Sequence, residues 1–177
     1  MATWIIDPDH SVAAFSIRHM MISNVHGQFN RISGVIDFDP ADIPHASVEV
    51  SIDVSGIYTG IQKRDDHLRS PDFFDVATYP VMTFKSRTVE TTGGNRFRVI
   101  GDLTIKEVTR TVSFDVEYSD VVISPMGGES SRGFVSSLML NCDDFGITWN
   151  VPLEGGLVIG RNVQIELDVE ADLEESL

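Results

Sequence analysis

The sequence predicts an all-β protein, a closed antiparallel up-and-down barrel of about eight strands with a short helical insert near residues 58–75. The first observation is an alternation of apolar and polar residues with a period of two, which recurs along the whole chain. The second is a set of turn signals rich in Gly, Pro and Asn between the alternating segments. The third is the lack of helical patterns of about 10–15 residues between the strands, which disfavours a parallel βαβ sheet.

The alternating segments have one apolar face and one polar face, as in an antiparallel sheet that covers a core. In the first segment Ala13, Phe15 and Ile17 share a face, and Ala14 and Ser16 lie on the other. The turn signals are at 39–40, 92–95, 125–128 and 154–156. The predicted strand segments are 11–19, 48–55, 82–85, 97–105, 112–118, 134–140 and 163–170.

One segment, residues 58–75, breaks the alternation. Residues 62–64 are good helix formers, and Thr59 is a candidate N-cap. We therefore expect a helix of about two turns joining two strands. No linker, low-complexity stretch or internal repeat divides the chain, so residues 1–177 are predicted to form a single domain.

The interior of the barrel determines what the protein can do. Closing the sheet covers its edges and its apolar face, and a barrel of about eight strands is either filled by side chains or holds one small ligand. The inward series mixes large residues with Ala13, Gly101 and Ser136, which fits a packed core and a cavity equally well. The candidate lining residues are Phe15, Ile17, Val50, Ile52, Phe84, Val99, Phe114 and Leu138.

Composition excludes several classes of function. The chain has 13 Lys and Arg against 27 Asp and Glu, and a net charge of −14 disfavours binding to nucleic acid or to anionic lipid. The single Cys142 excludes an internal disulfide and a zinc cage of cysteines, and its acidic neighbours disfavour a nucleophilic thiol. No segment approaches the roughly 20 apolar residues of a membrane span. Without a secretory signal we expect a cytoplasmic protein, or a periplasmic one if a leader has been removed.

The sequence contains no recognised catalytic or cofactor motif. It has no G-x-S-x-G elbow, Walker A loop or G-x-G-x-x-G, and the tripeptide 144–146 lacks the other kinase motifs. His10 and His19 are too far apart on one strand to share a metal, and His19 and His26 flank a turn without a third ligand. We therefore expect no metal and no cofactor.

The densest polar cluster is residues 64–68 in the helical insert. Its candidate functional side chains are Arg64, Asp66 and His67. Such a cluster binds an anionic head group, acts as an acid–base pair, or is a solvated helix face tied to the barrel rim. These alternatives remain open at this point.

Further motifs follow one another in a fixed order between about Trp4 and Glu170. They are 9–12 with Phe15, Ile17 and His19; Val25, Gly27, Phe29 and Gly34; 59–60, 64–70, 72–75 and 79–80 with Phe84; and 103–105, 108–110 and 144–146. In this order and spacing they resemble the YceI-like family of polyisoprenoid-binding, lipocalin-like proteins. The chain departs from the family pattern at Lys106 and Glu107, where His and Gly are common, and it lacks an Arg near Cys142.

The resemblance implies a lipocalin-like barrel with an elongated apolar pore that holds an isoprenoid chain, such as a prenyl pyrophosphate or a quinone. It implies no established catalysis and makes a homodimer plausible. At the mouth of the pore we expect Arg64 to contact a pyrophosphate oxygen, His67 to donate a hydrogen bond, and Asp66 to orient His67.

These observations favour a non-catalytic protein that binds and transports or stores an isoprenoid lipid. One alternative is an enzyme acting on a small apolar substrate, with His67 and Asp66 as its acid–base pair. The other is an interaction module with a solid core, which would have no cavity.

Overall fold

The structure, a computed structural model, describes residues 1–174 of the 177-residue chain. Strands dominate it, and the one α-helix, α1, spans Gln62–Arg69. The strands are β1 (Ala2–Ile6), β2 (Val12–His19), β3 (Ser23–Phe29), β4 (Ile32–Phe38), β5 (Ser47–Asp53), β6 (Val81–Gly93), β7 (Arg96–Ile105), β8 (Val108–Tyr118), β9 (Val122–Ile123), β10 (Ser130–Asn141), β11 (Pro152–Leu153), β12 (Gly156–Leu157) and β13 (Ile159–Leu173).

The large sheet closes on itself through the long strand β13. One edge of β13 pairs with β10, in a register that places Ser131 opposite Asp172 and Asn141 opposite Asn162. The other edge pairs with β2 and then with β1. From β4 to β8 the strands pair in chain order, and β8 pairs with β10. Every pairing is antiparallel, so the predicted closed up-and-down barrel is confirmed.

The ring has eight strand positions, two of which are each filled by two successive strands. β1 and β2 share a position because both pair with β13, and a 3₁₀ turn at Pro8–His10 separates them. β3 and β4 share the next position, since β3 pairs with β2 and β4 pairs with β1. The predicted number of about eight therefore holds for the ring.

One end of the barrel is filled by aromatic side chains. The ring of Phe38 lies 5.1, 4.8 and 5.5 Å from the rings of Phe97, Tyr118 and Phe134, centroid to centroid. The guanidinium of buried Arg132 stands over Phe38 and Tyr118 and over the ring of Trp4, at 5.2–5.4 Å from the ring centroids. Packed aromatic rings with a cation on their faces form a dense plug, so this end is closed.

The helical insert lies at the opposite end, between the end of β5 and the start of β6. Within residues 1–174, β3 ends the strand order of the sheet, and the insert joins this strand through the backbone pair Gln28 and Tyr58. The ring of Phe74 packs edge-on against Phe29 of β3 at 5.6 Å. The predicted insert at 58–75 is thus present, with about two turns of helix within it.

The expected N-cap at Thr59 is wrong. Ile61 precedes the first helical residue and makes no side-chain cap. Thr59 instead donates from its backbone N and its Oγ1 to the buried carboxylate of Asp65, at 2.9 and 2.5 Å. The helix therefore begins later than its sequence suggests, and Asp65 ties it to the preceding loop.

The alternation did not reveal strands β1, β3 and β4. In β3, a Cβ at Gly27 would lie 2.3 Å from Phe15 Cζ, and in β4 one at Gly34 would lie 2.2 Å from the carbonyl oxygen of Glu49. Close neighbours thus require glycine at these points, and glycine interrupts the apolar series. β1 has only five residues, which is too short for a clear period.

The C-terminal strand stays attached up to the last described residue. The sequence predicts a frayed tail at 174–177, but the backbone N of Glu174 donates to the carbonyl oxygen of Thr3 at 2.8 Å. Positions 175–177 lie outside the described residues. Within residues 1–174, no helix is both long enough and apolar enough to cross a bilayer.

Candidate functional site

The barrel encloses an apolar cavity of about 460 Å³ between the aromatic plug and the helical insert. A cavity of this size falls in the range that small ligands occupy, roughly 300–1,000 Å³. The predicted lining residues all reach it, because period-two alternation places them on the inner face. These residues are Phe15, Ile17, Val50, Ile52, Phe84, Val99, Phe114 and Leu138.

Burial of the lining residues changes along the barrel axis. Phe15, Ile17 and Leu138 face inward and yet are only half-buried. Since they lie on the inner wall, their remaining exposure is to the cavity. Val99 is 1% exposed and marks the floor, where the cavity gives way to the plug. The role of these residues in binding a ligand stays a prediction.

The cavity ends in a mouth formed by the insert, the loop after β10 and the start of β13. Two of the predicted polar residues, Arg64 and His67, line it. Further lining residues here are Phe73, Phe74, Cys142, Phe145, Ile147, Trp149, Val158 and Arg161. The mouth therefore joins aromatic and cationic side chains.

Asp66 does not orient His67, and this expectation is wrong. Asp66 is exposed and outside the cavity, and its Oδ1 accepts hydrogen bonds from Gln62 Nε2 at 2.8 Å and Arg69 Nη1 at 3.3 Å. Adjacent helical residues point in different directions, so Asp66 and His67 do not face each other. His67 Nε2 instead lies 2.7 Å from Oδ2 of Asp72, beyond the end of the helix.

The imidazole of His67 is held by an aromatic pair as well as by Asp72. Its ring stands edge-on to Phe73 and Trp149, at centroid distances of 5.0 and 4.8 Å. These contacts join the insert to the loop after β10 across the mouth. His67 is therefore a rigid part of the mouth.

Arg64 lines the cavity, but two nitrogens of its guanidinium already donate hydrogen bonds within the chain. Nε donates to Thr59 Oγ1 at 2.7 Å, and Nη2 donates to the Thr59 carbonyl oxygen at 2.8 Å. The same hydroxyl donates to buried Asp65. Arg64 thus supports the loop before the helix and supplies positive charge to the mouth.

Cys142 and Arg161 were not predicted as site residues. Cys142 continues the inward series of β10 by one step beyond Leu140, and Arg161 lies one step before Val163 in the inward series of β13. Extending the alternation by two residues would have found both. Burial raises the pKa of the Cys142 thiol, and the charge of Arg161 opposes that shift. The thiol is therefore a poor nucleophile, with burial rather than acidic neighbours as the main cause.

The histidines do not form a shared metal site. Ser16 pairs with His26 and Ile17 with Val25, so His26 lies on the outer face, whereas His19 lines the cavity. Within residues 1–174, one group of three possible ligands occurs, Asp7, His10 and Glu170, with ligand atoms within 4.8 Å of one another. His10 Nδ1 lies 2.6 Å from Asp7 Oδ2 in a 3₁₀ turn at the outer surface, so turn stabilisation accounts for this pair.

An eight-stranded antiparallel barrel with an enclosed apolar cavity defines a class of small-ligand-binding barrels. Within this class the chain belongs to the YceI-like family, since the family model of the YceI-like domain matches residues 4–171. The UPF0312 protein of Staphylococcus epidermidis is 37% identical over 175 residues, which cover 98% of this chain and 99% of that protein.

Solved structures share the fold over nearly the whole chain. BcnA of Burkholderia cenocepacia matches with a TM-score of 0.82 at 26% identity, over 93% of this chain and 98% of that one. A polyisoprenoid-binding domain from Saccharophagus degradans, implicated in plant cell wall breakdown, matches with a TM-score of 0.71 at 16% identity, over 98% of this chain and 100% of that one. At that identity the second match establishes the fold alone.

Proposed function

We propose that this protein binds a long-chain isoprenoid lipid in its barrel cavity and transports or stores it without chemical change. The observation that carries the proposal is the 460 Å³ cavity, whose wall is almost entirely aliphatic and aromatic. The polyisoprenoid-binding domain with the same fold supports the choice of ligand class. A solid-core module, the third hypothesis, is disfavoured because the cavity is open to a ligand.

The aliphatic and aromatic side chains of the wall match the chemistry of a branched apolar chain. Burial of each methylene contributes about 0.8 kcal/mol, so a long tail binds well through contacts with the wall alone. The wall is preformed by the strand pairing of the barrel, which limits the ordering cost of binding. Both prenyl pyrophosphates and quinones carry such a tail.

The enzyme alternative lacks its proposed acid–base pair. Asp66 faces away from His67, and the partner of His67 is Asp72. A close Asp–His pair also occurs at Asp42 and His45, outside the cavity, where it stabilises a turn. Such a pair is therefore an ordinary structural feature of this chain. Loss of a measured activity in His67→Gln, with the fold intact, would favour the enzyme alternative.

The first experiment is native mass spectrometry of the protein purified from cells, with identification of the molecules in an organic extract. We expect one prenyl lipid or quinone for each chain. The same spectra give the oligomeric state and so test the predicted homodimer. A ligand of another chemical class at one per chain would contradict the isoprenoid assignment.

A second experiment tests the cavity as the binding site. Phe84→Trp and Ile52→Trp add volume to the wall, whereas Met139→Trp adds the same ring on the exposed face of β10. We expect both cavity variants to lose uptake of an apolar fluorescent probe and the control to keep it. Normal uptake in all three variants, each with a cooperative melt, would show that the ligand binds elsewhere.

A further inference from the structure

Three arginines and two histidines line the cavity. They are Arg18, His19, Arg64, His67 and Arg161, and no Asp or Glu of residues 1–174 lines the cavity. The chain as a whole has 27 acidic and 13 Lys and Arg residues. The residues that line the cavity thus have the opposite charge bias from the chain as a whole, and a low-polarity wall strengthens the attraction of their arginines for an anion.

Arg161 is held in place by one of its terminal nitrogens. Nη1 donates to Asp143 Oδ1 at 2.9 Å and to the carbonyl oxygen of Ile147 at 3.1 Å. Nε is buried and has no hydrogen-bond partner within the described part of the chain. Buried charged donors are normally paired, because leaving one without an acceptor costs free energy. The buried Nε therefore lacks the acceptor that such a donor normally has within the described residues.

Arg161 lines the cavity, and the Nε–Nη2 edge of its guanidinium makes no hydrogen bond within residues 1–174, because both of its hydrogen bonds come from Nη1. The chain uses the same edge on carboxylates elsewhere: Arg98 donates from Nε to Asp115 Oδ1 at 2.8 Å and from Nη2 to Oδ2 at 3.2 Å. Arg64 uses its own Nε and Nη2 on Thr59. Two parallel donors fit the oxygens of a carboxylate or phosphate, and Asp143 with Ile147 orients them in advance.

We infer that the Nε–Nη2 edge of Arg161 binds an anionic head group, a carboxylate or phosphate, on the chain that occupies the cavity. This inference rests on the proposed function and adds the chemistry of the head group. It assigns the direct contact to Arg161, with Arg64 contributing positive charge and His67 a polar ring at the mouth. A neutral quinone head would offer carbonyl oxygens as acceptors but no negative charge to this edge.

The test compares three ligands that share one tail: geranylgeraniol, geranylgeranoic acid and geranylgeranyl phosphate. We expect the wild type to bind the acid and the phosphate at least about tenfold more tightly than the alcohol, because a charge-assisted pair exceeds a neutral contact by this much. The acid and the phosphate arms distinguish a carboxylate head from a phosphate head. Calorimetry at two salt concentrations gives the affinities and their ionic component.

Arg161→Gln removes the charge and the paired edge. We expect it to abolish the preference for the acid and the phosphate and to leave the affinity for the alcohol within about twofold. Asp143→Asn removes the carboxylate that competes for Arg161 while the Ile147 contact remains, so we expect unchanged or tighter binding of both anions. Arg98→Gln removes an arginine outside the cavity and serves as the control.

The outcomes separate this inference from the proposed function. Equal affinity of the wild type for all three ligands overturns the anionic head group and keeps the isoprenoid cavity. Binding of none of them overturns both. Equal losses for alcohol, acid and phosphate in Arg161→Gln show that Arg161 acts only by supporting the mouth.

Discussion

The ring of Phe84 on β6 lies against Gly101 on β7, so closely that a Cβ at Gly101 would be 2.6 Å from Phe84 Cζ. The same Cβ would be 2.4 Å from the carbonyl oxygen of Lys85. Phe84 packs on Phe114 at 5.3 Å and lines the cavity. The missing side chain at Gly101 thus makes the space that the aromatic wall occupies.

Gly101→Ala is expected to displace the Phe84 ring and to strain the β6–β7 pairing. Overpacking of this kind costs about 1–3 kcal/mol of unfolding free energy. Urea denaturation measures the loss, and binding of an apolar probe reports the altered wall. Gly133→Ala on β10 is the matched control, because its nearest atom, Ser119 Oγ, would be 3.6 Å from the new Cβ. Equal stability of the two variants would contradict the close approach.

Two adjacent carboxylates in the insert should differ sharply in their effect on stability. Asp65 is 4% exposed and accepts two hydrogen bonds from Thr59, whereas Asp66 is exposed. We expect Asp65→Asn to lower the unfolding free energy by about 1–3 kcal/mol and Asp66→Asn to change it by less than about 0.5 kcal/mol. Chemical denaturation of both variants tests this, and similar small effects would show that Asp65 does not anchor the helix.

The β2–β3 turn carries two non-glycine residues in the left-handed region. Met20 and Met21 have φ of 51° and 63°, and Ile22 N donates to the His19 carbonyl oxygen at 3.1 Å. Asn-Gly is the preferred pair for such a turn, and the left-handed conformation costs other residues roughly 1 kcal/mol or more. The double change Met20→Asn with Met21→Gly should therefore raise the unfolding free energy by about 1 kcal/mol.

Ile22→Gly provides the control for that turn. Ile22 is not among the residues with positive φ, so a glycine there gains no relief of strain and should destabilise by about 0.5–1 kcal/mol. Thermal melts of both proteins give the sign of each change. Stabilisation by the control and not by the Asn-Gly pair would contradict the assignment of strain.

Two exposed histidines make stability depend on pH. Hydrogen bonds donated to the carboxylates of Asp7 and Asp42 raise the pKa of His10 and of His45 above the ordinary 6.5. Their contribution is thus complete below about pH 6.5 and is lost as the pH rises through the raised pKa values. The hydrogen bond to His10 lowers the pKa of Asp7 below 3.8, so that carboxylate contributes above this pH and the contribution is lost as the pH falls.

Urea unfolding as a function of pH tests this assignment. We expect the wild type to lose some stability between slightly acid and slightly alkaline solution, and His10→Gln with His45→Gln to flatten that slope. His26 is exposed and makes no comparable ion pair in the described residues, so His26→Gln removes a histidine without removing an Asp–His pair and is the matched control. A slope that persists in the double variant would assign it to other groups.

Cys142 offers a direct report of what occupies the cavity. It lines the mouth, and burial raises the pKa of its thiol, so alkylation near neutral pH should be slow. A bound chain should slow alkylation further by covering the sulfur. Intact-mass measurement with an apolar maleimide, with and without ligand, checks this. Equal rates in the two states would place the ligand away from Cys142.

Much of the fold could be predicted because each strand of a barrel has an inner and an outer face. These two faces produce an alternation of apolar and polar residues that the sequence displays. It identified the inner wall from Phe15 to Leu138. It failed for β3 and β4. Gly27 leaves room there for the ring of Phe15, and Gly34 leaves room for the backbone at Glu49. Such approaches depend on residues distant in sequence, and no local pattern records them.

Some residues of the site could be predicted from the sequence, but their partners could not, because these are brought together by the fold. Arg64 and His67 belong to a visible polar cluster, and both reach the mouth. The partner of His67 is Asp72, beyond the helix end, because the turn after Ser70 brings the chain back. One further step in the alternation of β13 places Arg161 on the inner wall, but its hydrogen bonds to Asp143 and Ile147 depend on how the fold brings these segments together.

The aromatic plug around Arg132 makes the barrel a tube with a dead end. A chain that enters through the mouth does so tail first and leaves by the same route. Under the proposed function, a tail that matches the depth from mouth to floor would bring its head to Arg161. A shorter tail would leave the bottom of the cavity empty, and a longer tail would hold its head out in water. The distance from the plug to the rim would then determine both the preferred tail length and the position of the head group.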